Sequence, residues 1–427
     1  MKNFRWYILI VVLSATVFTL SGQQVTSAQG VNVIAVDSLE DDTSENGNCT
    51  LREAVRAANT RTLVDQCLGG DGDIVISLGV GRYQLAAGVV VISTDLRLSG
   101  MGQDVTVVDA MGIDSVFTIE PGVSVEISDL TIQNGRGLDI GGILNFGSLS
   151  LDSVTVAFNS GSIAGGIFSV GDTLTVQNST IARNDGFVGA GGILVDGGNV
   201  NIKESTISGN VGAQGGGIWA SGGATAVITN TTVSGNSATV LDGGGIFNTG
   251  SMFIGNSTIT GNTAGRSGGG IHSRSQLTLV NTIVAGNDSS FGPDCSATTP
   301  FESLGHNLIG DLTDCDYSGA QGDLLGDSVA PALPELGPLQ DNGGTTRTHA
   351  LLFTSPAIDA GDDGACPDKD QRGVARPIGA ACDIGSYEAA IPVEVPTLSQ
   401  WALVMLGVVL TLLLVSRRAR RTSVAST

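Results

Sequence analysis

Short apolar runs alternate along the chain with glycine, asparagine and serine, and one motif recurs seven times between residues 129 and 288. The motif places an aliphatic anchor two to three residues before a polar turn. Its anchors are Ile132, Val156, Ile181, Ile207, Val233, Ile259 and Val284. Successive anchors are 24, 25, 26, 26, 26 and 25 residues apart. A repeat of this length predicts a solenoid of stacked coils.

A second motif keeps the same period and completes each coil. Two or three glycines precede an isoleucine and then a stretch of period-two alternation. These isoleucines are Ile143, Ile167, Ile193, Ile218, Ile246 and Ile271. Each period therefore holds three short strands, which predicts an all-β, right-handed parallel β-helix with coils of about 25 residues. Leucine-rich repeats have a similar period, but glycine runs such as 215–217 disfavour their helical segment.

One turn position of the repeat holds asparagine in six consecutive coils: Asn159, Asn184, Asn210, Asn236, Asn262 and Asn287. Asparagine tolerates left-handed backbone angles, and its amide can bond the same residue of the next coil. We interpret these residues as a structural ladder rather than a catalytic set.

A column of large side chains follows the inward isoleucines by one residue, and alternation along the strand should point that column outward. An exposed aromatic stripe can stack on sugar rings or bind a protein. The predicted ligand-binding column consists of Phe168, Leu194, Trp219, Phe247 and His272. Two alternatives stay open: a loop covers the column, or the glycines turn it inward.

Both ends of the chain carry signals beyond the repeats. Lys2 and Arg5 before an apolar run predict a signal peptide over residues 1–28. Residues 29–73 should form an N-terminal cap, because Thr50-Leu-Arg-Glu53 reads as a capping box that opens a short amphipathic helix. We expect repeats over 74–310 and C-terminal coils over 311–390. Within 391–427, an apolar run followed by arginines predicts a transmembrane helix with a cytoplasmic tail.

The cysteine count indicates an oxidising compartment, and the net charge excludes some classes of partner. Six cysteines in an exported chain predict disulfides, of which the simplest of 15 pairings is local: Cys49 with Cys67, Cys295 with Cys315, and Cys366 with Cys382. Without the six basic residues of the two end signals, 14 of the 20 basic residues face 41 acidic ones, a formal charge of −27. Nucleic acid and anionic lipid are therefore not expected as partners.

Three segments resemble known families. Cys49-Thr-Leu-Arg-Glu-Ala54 resembles the CSLREA motif, and the segment from Asp341-Asn-Gly-Gly-Thr345 to Asp383-Ile-Gly-Ser-Tyr-Glu388 resembles the choice-of-anchor Q domain. The stretch from Val395 is similar to the IPTL-type sorting signal, with valine in place of isoleucine. Together these resemblances imply export machinery, a β-helix body and an exosortase-like enzyme that transfers the chain to an envelope anchor. The residues of this signal are Pro396, Thr397, Leu398 and Trp401.

Acidic residues within the regular coils fall at differing repeat positions, so no catalytic residue is assigned. We expect an exported, envelope-anchored surface protein with a structural or adhesive role. It would bind a glycan or a cell-surface protein and contact the membrane through its C-terminal helix. The alternative is a β-helix lyase or glycoside hydrolase that degrades polysaccharide.

Asp359, Asp362 and Asp363 are a candidate calcium site, with a solvated turn as the other interpretation. No other cofactor is expected.

Overall fold

The computed structural model of the chain describes residues 30–390 and 404–412. Parallel strands stack into a β-helix of about nine turns, whose three faces enclose one continuous apolar core. The described part therefore has the predicted all-β solenoid architecture.

Each face repeats one strand per coil. Face 1 comprises Val31–Ala35, Asp73–Ser77, Leu96–Ser99, Thr173–Gln177, Asn199–Lys203, Thr225–Thr229, Ser251–Gly255, Leu277–Val280, Phe301–Ser303 and Tyr317–Ser318. Face 2 comprises Gly81–Gln84, Thr106–Asp109, Thr180–Ala182, Thr206–Ser208, Thr232–Ser234, Thr258–Thr260, Ile283–Val284, Leu308–Ile309 and Leu324–Leu325. Ser124–Gln133 and Ser148–Ala157 bend at Asp129 and Ser153, where φ is positive, and so supply both faces.

Face 3 follows after a corner that has its own short ladder of strands. The ladder comprises Ser160–Gly161, Asp185–Gly186, Val211–Gly212, Ser237–Ala238, Thr263–Ser267 and Asp288–Phe291. Face 3 comprises Val90–Ile92, Phe117–Ile119, Ile143–Asn145, Ile167–Ser169, Ile193–Asp196, Ile218–Ser221, Ile246–Asn248, Ile271–Ser273 and Cys295–Ala297.

Like residues stack on like residues inside the solenoid. Ile181 lies in register with Val156 below it and Ile207 above it, and all three are fully buried. Burying such a side chain contributes about 1.5–3 kcal/mol. Since each coil's apolar face is covered only by its neighbours, stability comes from the stack rather than from single coils.

The predicted asparagine ladder is present. Asn184 donates from both its backbone N–H and its Nδ2 to Oδ1 of Asn210, each at 3.0 Å, and the pattern repeats from coil to coil. The positive φ predicted for the asparagines belongs instead to the residue before each of them, such as Arg183. The ladder ends at the carboxylate of Asp294, which accepts N–H and Nδ2 of Asn287 at 2.9 Å. Burial raises the pKa of Asp294 to about 6.

The N-terminal helix spans Leu51–Thr60 and starts with the predicted capping box between Thr50 and Glu53. That it closes the end of the solenoid stays a prediction. The three local disulfides are confirmed as paired in the simplest connectivity. Among residues 30–390 and 404–412, no helix is long and apolar enough to cross a membrane. The signal peptide and the sorting residues Pro396, Thr397, Leu398 and Trp401 lie outside the described residues.

Residues 336–389, here called the C-terminal segment, do not add further coils. The segment begins with an antiparallel hairpin, Leu336–Gln340 with Thr348–Leu351, and runs back over face 2. Thr232 Oγ1 lies 2.6 Å from Gln371 Oε1 and 2.9 Å from Ser386 Oγ. Asn281 Nδ2 donates to the carbonyl of Asp362 at 3.0 Å. Face 2 is thus covered by a distant part of the chain.

Candidate functional site

The predicted outward column does point away from the main core, but it is largely covered, which is the first of the two alternatives rather than an exposed stripe. Leu194, Phe247 and His272 are only 6%, 2% and 6% exposed, and Phe168 and Trp219 are half-buried. The residues just before the glycines fold over the column: Ile140, Ala164 and Ala190 pack with Leu194 in a second small apolar cluster. The column is therefore largely a packing element rather than an exposed stripe.

Later coils cover the same column differently, with a third glycine. Gly215, Gly243 and Gly268 have φ between +60° and +72°, and a Cβ on any of them would come within 2.7 Å of the neighbouring column side chain. Glycine is required there for both reasons. Trp219 and Phe247 form an edge-to-face pair, and Phe247 stacks on His272, each with 5.5 Å between ring centroids.

A charged cluster around Asp242 lies beside these rings, although the sequence assigned no role to this acidic residue. The buried Asp242 accepts from Arg266 Nε at 2.7 Å and from Arg274 Nη2 at 2.9 Å. Burial opposes ionisation, but the hydrogen bond and the neighbouring charges lower the pKa of Asp242 overall. Burial lowers the pKa of His272, whose Nε2 accepts from Arg274. Both oxygens of Asp242 are occupied, so the cluster is an internal ion-pair network.

The candidate calcium residues are not brought together. Asp359 Oδ1 accepts the N–H of Ala380 at 2.7 Å, and Asp363 Oδ1 accepts the N–H of Cys382 at 2.8 Å. Asp362 Oδ1 accepts the N–H of Gly364 at 2.9 Å. Within the residues that the structure describes, no group of three His, Cys, Asp or Glu is arranged to hold a metal ion. The three carboxylates cap turns of the C-terminal segment.

The site that sequence reasoning missed is a groove of about 490 Å³ between face 2 and the C-terminal segment. Its floor is a threonine column, Thr155, Thr180 and Thr206, in register on successive coils. Polar and aromatic side chains form its rim: Gln103, Asp104, Phe158, Arg183, Asp341 and Arg347. We call this cavity the threonine groove.

Two clamps hold the threonine groove open. At one end, Thr155 Oγ1 donates to Gln103 Oε1 at 2.8 Å, and Gln103 Nε2 donates to the carbonyl of Thr345 at 3.3 Å. At the other end, Thr206 Oγ1 donates to the carbonyl of Arg347 at 2.5 Å. Gln371 Nε2 braces that end by donating to Thr206 Oγ1 at 3.0 Å. The C-terminal segment is thus fixed above and below Thr180, which leaves a preformed cavity between.

An aromatic ring and a guanidinium group stand together at the rim. Phe158 is 51% exposed, and Arg183 Cζ lies 5.4 Å from its ring centroid. A ring face can stack on the apolar face of a sugar, and polar side chains can bond its hydroxyl groups. One sequence signal existed: Phe158 and Arg183 occupy the repeat position that holds glycine in the four following coils. The C-terminal wall of the groove had no such signal.

The fold and the repeat define the class: this chain is a right-handed parallel β-helix repeat protein. A family described as "Right handed beta helix region" matches residues 165–303. Among solved structures, the chain is similar to pectate lyase Pel9A, with 16% identity over 84% of this chain and 96% of that chain, and a TM-score of 0.54. The mannuronan C-5 epimerase AlgE6 A-module of Azotobacter vinelandii matches at 15% identity over 61% and 97%, with a TM-score of 0.24. At these identities, the likeness to Pel9A shows the fold alone. No curated protein matches the sequence.

Proposed function

We propose that this chain is an exported, envelope-held β-helix protein that binds a glycan in the threonine groove without converting it. The observation that carries the proposal is the preformed, open cavity of about 490 Å³ between face 2 and the C-terminal segment. Sugars present hydroxyl groups around an apolar ring face, and the groove combines a threonine floor with the exposed ring of Phe158. A preformed cavity limits the entropy lost on binding.

Export is proposed from the terminal signals and supported by the cysteines. All six cysteines are in disulfides, which persist in oxidising compartments outside the cytoplasm. The CSLREA-like segment contains Cys49 and the capping box, and the choice-of-anchor Q-like segment forms the wall of the groove. An exosortase-like enzyme would act at the sorting signal and leave the β-helix at the cell surface.

A polysaccharide-degrading enzyme is the second candidate, and one observation favours it. Asp104 and Asp341 line the same groove as Arg183 and Arg347, so carboxylates and bases face one cavity. Hydrolases and lyases both require such convergence on the substrate. The shared fold with a pectate lyase is compatible with this reading but does not carry activity.

The test uses the exported, disulfide-bonded protein on immobilised neutral and acidic glycans, with and without calcium. We expect retention on a subset of glycans and no new chain ends in the supernatant. Thr180→Trp, which fills the groove, should abolish retention, while Thr175→Trp on face 1 should not change it. Release of shortened or unsaturated products would contradict the proposed binding function and favour the polysaccharide-degrading enzyme. Retention of the Thr180→Trp variant would show that ligands bind elsewhere.

A further inference from the structure

We propose that Phe158 and Arg183 form a recognition platform for an acidic sugar in the threonine groove. The sugar ring stacks on Phe158, and its carboxylate binds the guanidinium groups of Arg183 and Arg347. This inference rests on the proposed function and adds the chemical class of the ligand. Three independent features of the described residues support it.

The first feature is backbone strain at the two platform positions. The residue before each ladder asparagine is left-handed in every coil, with φ of 58° at Phe158 and 56° at Arg183. In the following coils glycine takes this position, at Gly209, Gly235, Gly261 and Gly286. Glycine adopts such angles freely, whereas a bulky side chain there is an outlier. Positive φ at a non-glycine residue also occurs at the corner before face 2, as at Ser153 and Glu204, so the angle alone does not mark a site. Phe158 and Arg183 differ in that their side chains border the groove and that glycine replaces them in the later coils.

The second feature is that the two arginines of the groove have no ion-pair partner among the described residues. The ion pairs of the described residues involve arginines elsewhere in the fold: Arg52, Arg82, Arg97, Arg266, Arg274, Arg372 and Arg376. Within that same part of the chain, no carboxylate lies within ion-pair distance of Arg183 or Arg347. Arg56, Arg61 and Arg136 also have no ion pair among the described residues, but of these five arginines only Arg183 and Arg347 line the threonine groove. Their planar forks suit a carboxylate.

The third feature is the set of acceptors beside the arginines. Asp341 Oδ1 accepts the N–H of Gly343 at 2.9 Å, within its own turn. Asp104 is exposed at the rim. These carboxylates, with the hydroxyl group of Thr180 between the two clamps, can accept hydrogen bonds from sugar hydroxyl groups. A uronic acid carries one carboxylate among several hydroxyls, which matches this mixture of donors and acceptors.

The preference for an acidic over a neutral sugar depends on charges inside the groove rather than on the net charge of the protein. The acidic surface repels an anionic polymer, but at physiological ionic strength charges more than about 8 Å apart are largely screened. Within the groove, Asp104 and Asp341 oppose the two arginines, so an acidic sugar is preferred only where its carboxylate contacts Arg183 and Arg347 rather than these carboxylates. Binding should weaken as salt is raised, as expected for exposed charges.

The test compares a uronate oligosaccharide with the same oligosaccharide after its carboxyl groups are reduced to alcohols. We expect the wild-type protein to prefer the uronate. Phe158→Gly and Arg183→Gly should each weaken uronate binding about tenfold, the range for losing a stacking or a charged contact. Because glycine relaxes the left-handed backbone, both variants should unfold at a midpoint at least as high as wild type. Phe187→Ala, an exposed ring outside the groove, should change neither property.

The outcomes separate this inference from the proposed function. Equal binding of both oligosaccharides, unchanged in Phe158→Gly and Arg183→Gly, overturns the platform while leaving a glycan-binding groove in place. Loss of binding together with a lower unfolding midpoint would assign the two residues a structural role and also overturn it. Failure of wild type to retain any glycan defeats the proposed function itself. Arg347→Gln should weaken uronate binding and leave binding of the reduced oligosaccharide unchanged.

Discussion

The corner between face 2 and the asparagine ladder differs between the early and the late coils. In the early coils it carries Phe158 and Arg183, and in the late coils it carries glycine, as at Gly209 and Gly235. The backbone angle, the ladder and the aliphatic stack are the same in both regions. The corner side chain is therefore not needed for the fold, and the early coils retain two side chains that strain the backbone.

The C-terminal segment differs between the same two regions. Over the late coils it contacts face 2 directly, where Ser386 Oγ lies 3.2 Å from Thr258 Oγ1, and the corner before that face, where Asp362 N–H donates to Asn281 Oδ1 at 2.8 Å. Over the early coils it stands away from face 2 and leaves the threonine groove. The bulky corner residues thus occur where face 2 is accessible. We infer that the late coils serve as a scaffold for the C-terminal segment, whereas the early coils carry the ligand-binding side chains.

The largest expected effect concerns the ladder that both regions share. Asn210→Ala removes the acceptor for two donors of Asn184 and the donor to the carbonyl of Ile181. Leaving these buried groups unpaired should lower the free energy of unfolding by about 3–5 kcal/mol. Urea unfolding of Asn184→Ala, in the early region, should give a similar loss. The exposed Asn201→Ala on face 1 is the control, and a large difference between the two ladder variants would show that the regions are not built alike.

The second prediction concerns the end of the asparagine ladder, where a carboxylate that titrates replaces the amide of the interior positions. Asp294 accepts from Asn287 and, through Oδ2, from the N–H of Asp311 at 2.7 Å, and burial raises its pKa from 3.8 to about 6. The folded state therefore holds the proton more tightly than the unfolded state. This contribution to stability is full below pH 3.8 and is lost as the pH rises through about 6, in total about 3 kcal/mol.

Asp294→Asn should remove that pH dependence, because the amide does not titrate. The difference in unfolding free energy between the variant and wild type should change by about 2.4 kcal/mol between pH 4 and pH 7. The exposed Asp288→Asn serves as the control. A difference that stays constant with pH would mean that Asp294 keeps an ordinary pKa at the end of the ladder.

The repeat made the coil predictable, and distance along the chain made the groove unpredictable. The spacing between Ile181 and Ile207 predicts which residues stack, and the alternation predicts which side faces the core. The repeat does not predict which residues cover the outward column. Ala164 and Ala190 pack over it, although neither is part of a regular strand. The contact between Thr206 and Arg347 joins residues 141 positions apart. Such a long-range contact has no periodic signal, so the wall of the groove appears only in the structure.

The smallest expected effect tests the strain on which the comparison depends. Gly235 has a φ of 65°, and an added Cβ would meet no atom within 4 Å, so Gly235→Ala introduces backbone strain without a clash. A left-handed non-glycine residue costs about 1 kcal/mol, which thermal or urea unfolding can resolve. Thr225→Ala, exposed on face 1 of the same coil, is the control. If Gly235→Ala unfolds at the wild-type midpoint, the corner is not strained, and the backbones of Phe158 and Arg183 no longer indicate a functional site.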